Sequence, residues 1–110
     1  MELVRIETST PLSERDLAKA DMLVARCLAA AARGNHSAYY DLGIVFSTGS
    51  HGVNCDLVEA HKWFNLAAVL GHAEAACCRA DVSEEMTARE IAEAQRRARQ
   101  WLSDENRRAA

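Results

Sequence analysis

Residues 38–75 read AYYDLGIVFSTGSHGVNCDLVEAHKWFNLAAVLGHAEA, and their pattern decides the fold. With successive residues about 100° apart, Ala38, Tyr39, Leu42, Val45 and Phe46 share one side of a helix over about 36–48. Gly43 lies near that side, where a missing side chain lets a neighbouring helix come close. The opposite side carries Tyr40, Asp41, Ile44 and Thr48. Gly49-Ser50-His51-Gly52 then breaks the helix. Asn54 is the expected N-cap of the next helix, with Asp56 and Glu59 near its positive end. That helix, about 56–70, is apolar over most of its circumference through Leu57, Ala60, Trp63, Phe64, Leu66, Ala67, Ala68 and Leu70. A helix of this kind belongs at the centre of the fold, and Gly71 stops it.

The same reading extends outward. Upstream, Pro11-Leu12-Ser13 signals a helix start, with Ser13 as N-cap and Asp16 three residues on. Leu17, Ala20, Leu23, Val24, Cys27, Leu28 and Ala31 recur at helical spacing and form one apolar face ending near Gly34-Asn35. Downstream, a fourth helix is predicted over about 72–85, its alanine and cysteine run interrupted by Arg79 and Asp81. Thr87 and Glu90 form a capping box for a fifth, about 87–103, striped by Ile91, Ala94, Ala98, Trp101 and Leu102. Residues 1–12 are expected to be extended or flexible and 104–110 to fray, leaving a single all-α domain over 13–103.

Composition agrees with helix. The chain has 110 residues, enough for one core, and its one Pro and five Gly are too few turn residues for a β-rich fold. The net charge of −3 gives no overall positive field to attract nucleic acid or acidic lipid. Charge is uneven, however. Residues 1–86 hold seven Lys/Arg against twelve Asp/Glu (net −5), and residues 87–110 hold six Arg against four acids (net +2). Arg96, Arg97 and Arg99 fall late in a helix, where cations suit the macrodipole. No window approaches the ~18–20 apolar residues of a membrane span, and the start does not read as a signal peptide. A cytoplasmic location is the expectation, with Cys27, Cys55, Cys77 and Cys78 as free thiols and no C-x-x-C pair.

An internal repeat emerges on alignment of the chain with itself. Asp16-Leu17-Ala18-Lys19-Ala20 superposes on Asp56-Leu57-Val58-Glu59-Ala60 and on Glu90-Ile91-Ala92-Glu93-Ala94, at spacings of 40 and 34 residues. Gly34-Asn35-His36-Ser37-Ala38 falls likewise on Gly71-His72-Ala73-Glu74-Ala75. A two-helix unit requires about this period. Residues 38–75 resemble a Sel1-like repeat, a relative of the tetratricopeptide repeat. The matches are Ala38, Tyr40, Leu42, Gly43, Phe46, Gly49, Gly52, Val53, Asp56, Ala60, Trp63, Phe64, Ala67, Ala68, Gly71 and Ala75. The loop has one residue more between its glycines than the family pattern, and Arg79-Ala80 replaces Leu42-Gly43 in the second unit. The resemblance implies one full repeat flanked by degenerate capping helices, in a right-handed α/α superhelix of about five antiparallel helices. It also implies a non-enzymatic adaptor, of the small bacterial type, that presents helix faces to a protein or peptide partner in signalling or assembly.

Residues with chemical potential are sparse. His51, Cys55 and Asp56 share a loop, but a metal needs three or four convergent ligands, and loop residues beside glycines are the simpler reading. Cys77 and Cys78 follow His72 in alanine-rich surroundings, which reads as small buried residues more readily than as a Cys–His nucleophile. No glycine loop precedes Lys-Ser/Thr to cradle phosphate. No catalytic residue, metal ligand or cofactor is therefore expected, although a metal-binding or small enzymatic domain stays open as an alternative. The sharper feature is Tyr40 and Ile44, one helical turn apart beside Asp41. If the first helix leaves that side open, these three residues form a candidate partner-binding surface; if it covers them, they belong to the core. Self-association through exposed end helices is the competing role.

Overall fold

The computed structural model describes residues 14–109, whose regular structure is all helix, with no strand among them. Among them five α-helices follow one another: α1 Glu14–Ala32, α2 Ser37–Thr48, α3 Leu57–Val69, α4 Ala73–Ser83 and α5 Ala88–Ala109. A short 3-10 turn, Ser50–Gly52, lies between α2 and α3. The start signal at Pro11-Leu12-Ser13 and the segment 1–12 lie outside the described residues.

α3 is the central element. α2, α4 and α5 all pack on it, whereas α1 packs on α2 and the 3-10 turn. Its near-continuous apolar surface explains this, since Ala60, Trp63, Phe64, Leu66 and Ala67 are each at most 1% exposed. Burying each large side chain there contributes about 1.5–3 kcal/mol. Small residues set the spacing. A Cβ at Gly43 on α2 would stand 2.5 Å from Phe64 Cδ1 and Cε1, so α2 and α3 meet at a distance that only glycine permits. An aromatic cluster then joins three helices. Trp63 of α3 meets Trp101 of α5 edge-on at 4.9 Å and Tyr39 of α2 at 5.7 Å, and Trp101 Nε1 donates to Tyr39 Oη at 3.1 Å.

The aligned segments fold alike. α1 and α3 both end in a glycine with positive φ, Gly34 at +90° and Gly71 at +98°. In each, the next residue's N–H returns to the carbonyl five positions back: Asn35 to Ala30 (3.0 Å) and His72 to Ala67 (3.1 Å). The glycine N–H reaches the carbonyl three back, Gly34 to Ala31 (3.0 Å) and Gly71 to Ala68 (2.9 Å). Both are Schellman turns, which satisfy the last carbonyls of a helix. The three superposed alanines, Ala20, Ala60 and Ala94, are likewise all buried.

Several helix ends differ from the sequence expectation. Asp56, not Asn54, caps α3, its carboxylate accepting from Glu59 N–H at 3.2 Å. The reason is tertiary. Asp56 N–H donates to Phe46 C=O at 2.9 Å, which pins the chain to the end of α2 and holds Asp56 extended at the helix mouth. α4 is shorter than predicted and is capped by His72, whose Nδ1 accepts from Ala75 N–H at 3.1 Å. The capping box of Thr87 and Glu90 is present in both directions, at 2.8 and 3.1 Å. The tail expected to fray over 104–110 instead continues α5 as far as Ala109. Gln100 and Arg107 both pair with Asp104 along that stretch, and no Gly or Pro interrupts it.

Candidate functional site

α1 lies against α2 unevenly, and that unevenness makes a groove. Ala20 and Ala31 are buried, Leu23, Val24, Cys27 and Leu28 are half-buried against the core, and Leu23 and Cys27 also line the flank of α1 that faces an opening beside α2. Between that flank and α2 runs an open, mainly apolar groove of about 510 Å³, lined by Leu23, Cys27, Tyr40, Asp41, Ile44 and Val45. Tyr40, Asp41 and Ile44, singled out from the sequence, are thus brought to one place.

Each sits there differently. Ile44 is half-buried, resting on the core and presenting the remainder to the groove. Asp41 is exposed and makes no ion pair among the described residues. Tyr40 is not on a bare face as its helical position indicates. Its ring stacks on His72, the N-cap of α4, at 4.4 Å and leans on Phe64 of α3 at 5.9 Å, so it lines the groove while tying α2 to its neighbours. Loss of hydration pushes the Tyr40 phenol up from its ordinary value, with Cys78 and Glu74 adding to it. Burial and then Asp41 push the Cys27 thiol up as well. A thiol so raised stays protonated at neutral pH, the opposite of an activated nucleophile. The groove therefore offers shape, apolar surface and one carboxylate.

A second groove of about 450 Å³ runs along the other side of α1, over Val24, Phe46 and Val53, with Asp21, Asn54 and Asp56 at its rim. Cys55 also lines it, and its thiol donates to Ser47 C=O at 3.5 Å. No group of three His, Cys, Asp or Glu side chains among the described residues is arranged to hold a metal ion; the His51 side chain lies outside them. No helix of the described residues is long and apolar enough to cross a membrane.

Two features escaped sequence reading. The first is His61 on α3, 3% exposed, whose buried Nδ1 meets no protein partner. Burial pushes its imidazole down, and the Arg79 cation adds to the effect. Its position inside a helix apolar on nearly every side was the available signal. The second is a polar seam between α3 and α5. Glu59 accepts from Arg97 at 2.7 Å and from Trp63 Nε1 at 3.2 Å, with Lys62 at 3.6 Å. Lys62 lies over the Trp63 ring, 4.3 Å from its centre, and burial pushes its ammonium down although Glu59 opposes this. Glu93 binds both Arg96 and Arg97, and the two guanidinium groups hold its carboxyl down to about 2. These cations already spend their hydrogen bonds on carboxylates, so the seam fastens α5 to α3. No match to this chain was found among family models, characterised proteins or solved structures.

Proposed function

We propose that this chain is a Sel1-like adaptor domain, a fragment of a right-handed α/α superhelix, which binds another protein or a peptide and carries out no chemistry itself. The observation that carries the reading is the α1–α2 groove, where a half-buried Ile44 and an exposed Asp41 flank the Tyr40 ring. Apolar floor with an isolated charge at the rim is the composition of a recognition surface, the apolar part giving affinity and the charge register. The matched Schellman turns and the buried alanines at superposed positions support the repeat. In such a stack, helices keep one packing solution while exposed residues vary with the partner.

The test is affinity capture with the wild-type chain beside Asp41→Arg and Ile44→Glu, followed by titration of each captured protein against purified chain. Asp41 is exposed, so its variant keeps the fold and isolates the surface effect. A partner whose affinity falls at least tenfold with Asp41→Arg, while the helical circular dichroism is unchanged, is the expected result. Partners that bind both variants as well as wild type would place recognition elsewhere and remove the groove from the proposal.

A further inference from the structure

The α1–α2 groove and helix α5 carry surfaces that complement one another. In the α1–α2 groove Asp41 is the sole charged residue of the lining, and the rest is mainly apolar. α5 packs on α3 through Ala94, Ala98 and Trp101, which leaves a flank free. Along that flank Ala88, Ala92, Gln95, Arg99, Leu102 and Asn106 follow one another at helical spacing, and all six are exposed. It is a smooth ridge of small and polar side chains with two projections, Arg99 and Leu102, one turn apart. Arg96, Arg97 and Arg107 are each held by a carboxylate of their own helix. Arg99 makes no ion pair among the described residues. Leu102 is 38% exposed, an aliphatic side chain facing solvent beside that cation.

We propose that the α5 flank of one molecule docks into the α1–α2 groove of a second copy, Leu102 entering beside Ile44 and Arg99 pairing with Asp41. This inference rests on the groove being a recognition surface and names its occupant. Charge supports the pairing at longer range too, since residues 1–86 carry a net −5 and residues 87–110 a net +2. The contact proposed is head-to-tail, one ridge in one groove, and not a two-fold pairing of both at once. A head-to-tail contact leaves one groove and one ridge unused at the ends, and it extends into a ring or a filament.

The arrangement makes a test that self-complementary dimers cannot mimic. Sedimentation velocity of the wild-type chain, from dilute solution up to about 1 mM, should show mass rising past two copies, and added salt should reverse it. Asp41→Arg blocks the groove and Leu102→Glu blocks the ridge, and each variant alone should remain a folded monomer by mass and circular dichroism. Mixed in equal amounts they should form a dimer and stop there, because the intact ridge of one fits the intact groove of the other. Asp41→Arg with Arg99→Asp in one chain should restore growth. A wild type that stays monomeric, or a mixture of blocked variants that stays monomeric, overturns the proposal. So does assembly that both substitutions leave unchanged. If the wild type is monomeric yet a captured protein still loses affinity with Asp41→Arg, the groove serves a foreign partner, and only this inference fails.

Discussion

Replacement of Gly43 by alanine tests the closest contact in the core. A Cβ there would lie 2.5 Å from Phe64 Cδ1 and Cε1 and 2.9 Å from Cγ, where ordinary carbon contacts are about 3.5–4.0 Å. The phenyl ring must therefore withdraw by about 1 Å. It has little room, being 1% exposed and leaned on by Tyr40. Overpacking of this kind costs about 1–3 kcal/mol. Alanine recovers about 1 kcal/mol of helix propensity over glycine. The net destabilisation is then about 0–2 kcal/mol, which lowers Tm by up to roughly 10 °C in a domain of this size. Thermal and urea unfolding followed by circular dichroism read it directly. Trimming the ring in the same background, Gly43→Ala with Phe64→Leu, should reveal a favourable coupling of at least about 0.5 kcal/mol. If Gly43→Ala raises Tm and the double variant shows no coupling, helices α2 and α3 are not in contact at Gly43 as described, and the packing argument is refuted.

Two further outcomes follow from the histidines. His61 has its folded pKa depressed by burial and by Arg79, so the unfolded chain binds its proton first. Its contribution to stability is complete above the unfolded value near 6.5 and is lost as pH falls below it, with a slope of at most about 1.4 kcal/mol per pH unit. The Tm difference between wild type and His61→Leu, measured from pH 7.5 down to 5, should move in favour of the variant on acidification; a constant difference would exclude His61 as the cause. His72 both caps α4 and stacks on Tyr40. His72→Ala should cost about 1 kcal/mol for the cap and a further 0.5–1.5 kcal/mol or so for the ring contact. His72→Asn should return only the capping part in urea unfolding, and equal losses for both variants would remove the cap from the account.

Helix content and order were legible in residue spacing because the 3.6-residue period and the turn glycines act over a few neighbours. Ala20 to Ala31, Ala38 to Phe46 and Ile91 to Trp101 each announce an inward-facing stripe within one segment, whereas Leu102, placed on the last stripe by the same spacing, faces solvent. The centrality of α3 was legible as well, since a helix apolar on nearly every side has nowhere else to go. Even the capping box of Thr87 and Glu90 is local chemistry. What spacing could not supply was the identity of contacts between distant segments. Asn54 and Asp56 are equally good caps in isolation, and the bond from Asp56 N–H to Phe46 C=O chose between them. Tyr40 looked unpartnered on the wheel of its own helix, and only the arrival of α4 set His72 against its ring. His61 became buried for the same reason, through helices packing around α3. The groove itself depends on how α1 lies: Leu23 and Cys27 pack on the core with one side and line an opening beside Ile44 with the other. Local sequence determines which residues share a face, but which faces meet is settled by the free energy of the whole packed set, to which residues far apart in the chain contribute together.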